Sequence, residues 1–536
     1  MTRADLSSRG RRGDPWAIVF TLALLARSVL TGLQLAGRGD ALTVDGCYYL
    51  QLAKNLLAGR GFTLAGIAHT VFPPGLPFAI AAVNRFVPDV VRAGQLLSVG
   101  TFFAAAALLY LLLVRTVKSR AIAALAGILY LFAWPLMSLS VEVASEPLFA
   151  LLFVAQLALV TGMLRPRAPG GVLRLAAIGA TGAAMFLTRP EGLLVFGAGA
   201  LAILALVARR RLPWPVALVA PLVFVLGIAP YAVFMHSATG EWRLSGKAVA
   251  WLQSESVEHV GDPLLWERNS YQLTPGGRYP WIDSSAGTDV SPAGYLSQHR
   301  AELVHRVLRN AWSDARLLLL HFGLLLVLLP FAFAWARERA ELGYLGLLFA
   351  LSFYLLLFSV TGRYWSGNLP AFVLLFAVLS DRAAESLAPR GAAAAAFALA
   401  IAVNAAYGWH ARAAELAPRP ASRGVIAAWI GAHVPAGDLV VARSPYLPFL
   451  GGREWIRFPW FEDAASFESY MRRNRLAWFL VTDDERRLRP FVGDAERRGA
   501  LASLGTVVAT FPTEAGPAHM LVITPVPARR DTLAVR

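Results

Sequence analysis

A chain of 536 residues that is 57% hydrophobic and only 16% charged, with mean hydropathy +0.53, is too apolar to be a soluble protein and reads as a polytopic membrane protein. Fifty Lys and Arg against 34 Asp and Glu give a net charge of +16, but the basic residues fall between apolar runs. That is the pattern of cytoplasmic loops and argues against nucleic-acid binding, while the single cysteine, Cys47, excludes an internal disulfide.

Arg3, Arg9, Arg11 and Arg12 precede the first apolar run, and no small-residue cleavage site follows clearly, so a retained first span is expected. Runs of about 17 to 25 apolar residues predict about eleven spans. They lie near 16–36, 91–114, 121–139, 147–164, 172–188, 191–208, 213–235, 314–336, 341–360, 369–388 and 391–411. With this count every basic cluster falls on one side: Arg11 and Arg12; Arg115, Lys118 and Arg120; Arg165, Arg167 and Arg174; Arg209 to Arg211; Arg337 and Arg339; Arg382 and Arg390. These are expected inside, which puts the N-terminus in the cytoplasm and the 37–90 loop, the 236–313 loop and the C-terminal tail outside.

The first outer loop reads V-D-G-C-Y-Y-L-Q-L-A-K-N-L-L-A-G-R-G-F-T, then H-T-V-F-P-P-G-L-P. Asp45 stands just beyond the first span. A carboxylate there is either a general base for an acceptor hydroxyl or amine, or the N-cap of a following helix. Cys47–Leu57 is expected to be an interfacial helix with Leu50, Ala53, Leu56 and Leu57 on one face and Gln51, Lys54 and Asn55 on the other. Leu76–Phe86, after Pro73 and Pro74, is too short to span and reads as a second interfacial helix. Tyr48, Lys54 and His69 are the remaining polar candidates of this loop.

Glu142 and Glu146 follow in S-L-S-V-E-V-A-S-E-P-L-F, one helical turn apart, and are placed to share a face. Thr188-Arg189-Pro190-Glu191-Gly192 puts an arginine on the outer side, either as a fork for phosphate oxygens or as a partner of Glu191. Gly362-Arg363-Tyr364-Trp365, before Asn368-Leu369-Pro370, offers a second outer arginine among aromatics, for phosphate and sugar or as an interfacial anchor. The long loop is rich in Trp242, Trp251, Trp266, Tyr271, Tyr279, Trp281 and Tyr295, which fits either an aromatic belt or a substrate lid. No phosphate-cradling glycine motif or metal-ligand spacing is present in the sequence. Beyond Ala411 the composition becomes that of a soluble domain. Two helix-then-strand repeats and a late antiparallel pair predict a small α/β domain over 412–536, separate from a membrane domain over 1–411.

The first-loop motif, with S-E-P-L-F, R-P-E-G and R-Y before Pro370, resembles GT-C membrane glycosyltransferases. The resemblance covers roughly 15–390. It is nearest to the dolichyl-phosphate-mannose protein mannosyltransferase-like family, which includes aminoarabinose lipid A transferases and rhizobial lipopolysaccharide transferases. It implies an inverting hexosyl or pentosyl transfer from a polyprenyl-phosphate-linked sugar to a lipid, glycan or protein acceptor of the cell envelope. The reaction would take place on the outer face of a bacterial inner membrane, without a cofactor or metal. It implies Asp45 as catalytic base with Glu146 as second acid, and suits Arg189 and Arg363 to the donor phosphate; Glu191, Tyr364, Tyr48, Lys54 and His69 are the further candidates for donor binding. The acid that commonly follows the aspartate in that family is replaced here by Gly46. Two other readings are a flippase or transporter of the lipid-linked sugar and a non-catalytic envelope scaffold.

Overall fold

The computed structural model describes residues 14–38, 42–165, 171–246, 262–274, 276–280, 297, 300–336, 339–358, 361–386, 390–415 and 421–523. Of the residues singled out above, Arg3, Arg9, Arg11, Arg12, Arg167, Trp251, Trp281, Tyr295 and Arg337 lie outside these ranges. The chain divides into two compact units, one of Met1–Ala41, Pro73–Val233 and Arg300–Ala417, the other of Leu42–Phe72, Phe234–His299 and Pro418–Arg536. The boundary expected near 411 is therefore only part of the division: Leu42–Phe72 of the first loop and Phe234–His299, most of the long loop, cluster with the tail.

The protein is a polytopic α-helical membrane protein. Among the described residues seven helices are long and apolar enough to cross a membrane: Pro15–Ala36, Val90–Thr116, Glu146–Leu164, Trp214–Thr239, Arg300–Ala332, Ala340–Leu357 and Gly391–His410. The other predicted spans fall on the shorter helices Arg120–Leu131, Val172–Thr188 and Gly192–Ala208 and on Leu369–Ser386. Gly75–Asn84 is a ten-residue helix with Leu76 and Ile80 buried and Phe78 exposed, the two-faced short helix its sequence predicts.

Two departures from regular helix explain polar residues inside apolar segments. The predicted span 121–139 is broken at Phe132 and Ala133 before Pro135, which leaves carbonyls without helical partners. Arg27, fully buried in the first span, supplies donors there. Its Nε reaches Leu131 O at 3.2 Å, and Nη2 reaches Ser140 Oγ at 2.6 Å and the carbonyls of Leu136 and Met137 at 3.4 Å. The Ala340–Leu351 helix likewise tightens into a 3₁₀ turn over Ser352–Leu357. Arg306 donates to Leu357 O at 3.1 Å, and Asn310 donates to Leu356 O at 3.0 Å and Phe358 O at 2.8 Å. An unmatched carbonyl in an apolar setting is costly, so each break recruits a cation or an amide.

The second unit holds a β-hairpin and a five-stranded sheet. Strands β1 (Thr63–Leu64) and β2 (Ile67–Ala68) are joined by Ala65 and Gly66, both at positive φ, as a two-residue hairpin turn requires. The sheet comprises β3 (Val440–Ala442), β4 (Trp455–Arg457), β5 (Trp478–Val481), β6 (Thr506–Phe511) and β7 (Ala518–Val522), in the order β4-β3-β5-β7-β6. β3 runs parallel to β4 and β5, and β7 runs antiparallel to β5 and β6. The helices Ser422–His433 and Ala464–Arg473 precede β3 and β5, as the two predicted repeats require. One core gathers Ile456, Phe458, Phe467, Met471, Phe479 and Leu521. Tyr279, from the long loop, joins it and donates its hydroxyl to Ala65 O at 2.8 Å.

Arg27→Met is expected to lower the melting temperature of the detergent-solubilised protein, at about 1–3 kcal/mol for each buried acceptor left bare. The exposed neighbour change Ser28→Ala should leave the melting curve where it is.

Candidate functional site

In the second unit Asp45 lies in the first turn of the Val44–Leu57 helix. The cap is made by Thr43, whose hydroxyl accepts the Gly46 N–H at 2.9 Å, so the capping role considered for Asp45 belongs to another residue.

The helix itself differs from the expected interfacial one. Its polar face is buried: Gln51 donates to Asn55 Oδ1 at 3.0 Å, and Asn55 donates to Thr63 O at 2.7 Å. The amides are used to dock the hairpin rather than to face water. Tyr48, expected at the donor, is fully buried, and its hydroxyl accepts from Arg457 Nε at the end of β4. Arg457 Nη1 continues to Tyr271 of the long loop at 2.8 Å. His69, also expected at the donor, is 1% exposed. Its Nε2 accepts the Phe72 N–H at 3.0 Å, and its ring stacks on Phe72 with 14° between planes. Burial lowers its pKa from 6.5 to about 3. Tyr48 and His69 thus brace the loop from within, and Lys54 sits with its Nζ 4.4 Å above the Phe449 ring.

In the first unit the other candidates converge. Glu146, 1% exposed, opens the Glu146–Leu164 helix, and its Oε1 accepts Arg189 Nη1 and Arg363 Nε, each at 2.7 Å. Arg189 also donates to Ser145 Oγ at 3.2 Å and to Glu191 Oε1 at 3.0 Å. Of the two readings of Arg189, the partner of Glu191 is the one seen, and a second acid 43 positions earlier joins it. Two guanidiniums on one carboxylate oxygen make Glu146 a counter-ion and anchor rather than a proton acceptor. Glu142 lies in the bend before the helix, so the two acids do not share a helical face.

The glycines of the two motifs are there for room. A Cβ on Gly192 would overlap the Met185 and Phe186 backbone, and one on Gly362 would overlap the Trp134 ring. Gly75, of the Pro-Pro-Gly turn, lets its helix approach the Leu187 carbonyl, where a Cβ would stand at 2.6 Å. Trp365 is buried with its Nε1 donating to Asp314 Oδ1 at 3.0 Å, so it is a packing element and no interfacial anchor.

Beside this cluster lies a narrow cavity of about 20 Å³, room for about one water molecule. Its polar end carries Arg189, Glu191, Tyr354, Tyr364 and Asn368, and its walls are apolar, with Phe149, Phe153, Leu194, Val195 and Leu348 among them. Arg363 keeps 30% of its side chain exposed while held by Glu146. A charged head above greasy walls suits an amphiphilic anion. Sequence reasoning missed Tyr354, Asn368, Ser145 and Asp314. Only Asp314 carried a signal, as an acid at the edge of a predicted span.

No protein-family model and no curated protein matches the sequence. In structure the chain is similar to ArnT from Cupriavidus metallidurans bound to undecaprenyl phosphate, at 14% identity and TM-score 0.59, over 95% of this chain and 98% of that one. It is similar to the Archaeoglobus fulgidus oligosaccharyltransferase in the apo form, at 15% identity and TM-score 0.57, over 90% of this chain and 71% of that one. It is also similar to AglB from Archaeoglobus fulgidus in complex with an inhibitory peptide and a dolichol-phosphate, at 14% identity and TM-score 0.56, over 93% and 74%. At these identities the likeness is one of fold.

Glu146→Ala should destabilise the protein in detergent by about 3–5 kcal/mol, since it strands buried guanidinium charge, and Glu146→Ala with Arg189→Met should recover part of that loss in a melting experiment. The second test is one of pH. His69 must stay neutral to accept the Phe72 N–H, and its folded pKa lies below the ordinary value, so its contribution is complete above pH 6.5 and is lost as pH falls towards about 3. His69→Gln, which keeps an acceptor but cannot titrate there, should flatten the fall in melting temperature between neutral and acid pH.

Proposed function

The chain has the GT-C fold, and from that premise we propose that it is an integral membrane glycosyltransferase using a polyprenyl-phosphate-linked sugar. The sugar passes to an envelope acceptor on the extracytoplasmic face of a bacterial inner membrane, with inversion. The observation that carries this reading is the buried Arg189–Glu146–Arg363 cluster, in which Arg363 keeps part of its side chain exposed, next to a hollow that Arg189 shares with apolar side chains. A phosphate on a hydrocarbon chain is the amphiphile whose charge calls for a guanidinium and whose chain calls for apolar side chains beside it. The ArnT and AglB structures, which hold undecaprenyl phosphate and dolichol-phosphate, support the same ligand class.

In the proposed reaction Asp45 takes the proton of the acceptor hydroxyl or amine. The acceptor atom attacks the anomeric carbon as the bond from that carbon to the phosphate oxygen breaks, and polyprenyl phosphate leaves with the electron pair. Arg363 forks to the phosphate and offsets the charge that grows there, while Glu146 and Glu191 hold Arg189 as the frame behind it. Tyr364 flanks the head of the cavity and borders the sugar.

The flippase or transporter reading would put functional charges deep in the spans. Arg27 does lie inside a span, but it is engaged with helix carbonyls and Ser140, which accounts for it structurally.

Transfer in vitro from a panel of polyprenyl-phosphate sugars tests the reading. Asp45→Asn and Asp45→Ala should each lower turnover about 10²- to 10⁴-fold with the fold intact. Arg363→Ala should raise the donor KM, and Arg363→Lys should restore only part, because an ammonium cannot fork. Full turnover in both Asp45 variants would remove Asp45 from the mechanism, and unchanged donor use in Arg363→Ala would remove the phosphate role.

A further inference from the structure

In open sheets of this kind ligands sit at the carboxyl ends of parallel strands, where neighbouring strands send their connections opposite ways. In the second unit that place lies between β3 and β5, and it is filled by the protein's own carboxylates. Glu485, 1% exposed, accepts the main-chain N–H of Arg443, just beyond β3, and of Thr482, just beyond β5. Glu267, also 1% exposed, comes from the Pro263–Ser270 helix of the long loop. It takes Arg443 Nε at 2.8 Å and Arg489 Nη1 at 2.7 Å. An incoming anion finds these donors already engaged.

The open space is at the other end of the same strands. A trough of about 550 Å³ runs past Gly437–Leu439 before β3 and Gly452–Glu454 before β4. A second hollow of about 570 Å³ shares Arg278 and Gly437–Leu439 with it and extends along Arg473–Ala477 before β5. Together they are lined by Lys54, Arg60, Arg278, Arg453, Arg473 and Arg475, against only the acids Asp438 and Glu454. Both acids are occupied: Glu454 holds Arg60 at 2.8 Å and the Ala65 N–H, and Asp438 accepts Trp478 Nε1 at 3.0 Å. Arg453 is spent on the carbonyls of Val434 and Gly431. Arg278, Arg473 and Arg475 remain exposed along the trough.

We propose that this trough, at the amino ends of β3, β4 and β5, is a binding site for an anionic oligosaccharide. The surplus of guanidinium selects several negative charges, phosphoryl or carboxylate. Among the described residues no aromatic side chain lines either hollow, so stacking of nucleobases is not provided for. The space exceeds what a single phosphate fills, which calls for an extended polar ligand. That the ligand is a glycan, and serves as acceptor, rests on the transferase reading; that the trough binds a polyanion does not.

The test is binding, measured without transfer, so that it fails or stands separately from catalysis. The full chain in discs of zwitterionic lipid is titrated with oligogalacturonate, with a phosphorylated oligosaccharide of the same length and with a neutral one. At least one charged oligosaccharide should bind, weakening as salt is raised, and the neutral one should not. Arg278→Glu with Arg475→Glu should raise Kd by more than about tenfold, while the exposed control Arg487→Glu should change it less than about twofold. Equal binding of the neutral sugar, or equal loss in the control, would overturn the proposal. So would loss of sugar binding in discs rich in phosphatidylglycerol, which would make the trough a headgroup surface instead.

Discussion

One carboxylate oxygen organises the membrane unit. Glu146 Oε1 receives a guanidinium from the Arg189 turn and another from the Arg363 helix, so three segments far apart in the chain meet at a single buried atom. Water is largely excluded there, and the attraction between the charges is correspondingly strong, but so is the cost of losing any one of them. The two motif glycines and Gly75 are consequences of the same meeting, because the backbones that carry the arginines must pass within a side chain's width of their neighbours.

The helices of the membrane unit were legible because length and apolarity are one-dimensional properties. The short motifs were legible as places where charge interrupts grease, and three of them, S-E-P-L-F, R-P-E-G and G-R-Y, do come together. What was not legible is which charge faces which. Arg189 looked like a ligand for phosphate and proved to be engaged on three sides by Glu146, Ser145 and Glu191. Glu146 looked like an acid for chemistry and is the counter-ion. Sequence spacing cannot reveal a pair separated by 217 positions, as Glu146 and Arg363 are.

The first loop was misjudged for a different reason. Its helix reads as amphipathic, and the polar stripe of Gln51 and Asn55 was assigned to water. Buried amides that satisfy one another and a hairpin carbonyl look the same in sequence as solvated ones. The role of the buried cation Arg27 is not legible either, since nothing in an apolar run announces that the helix opposite is broken. Prolines mark one such break, at Pro135; the 3₁₀ turn at Ser352–Leu357 has no comparable mark.

The assembly of the second unit from three separated stretches sets a schedule for biogenesis. Tyr48 meets Arg457 across 409 positions, which at ribosomal speeds of about 5–20 residues per second is a delay of about 20–80 s. Throughout that interval the loop bearing Asp45 has left the ribosome without the strand that braces it. The segment is made almost first and finished almost last, so a nascent chain halted before β4 carries its most reactive candidate on an unbraced loop.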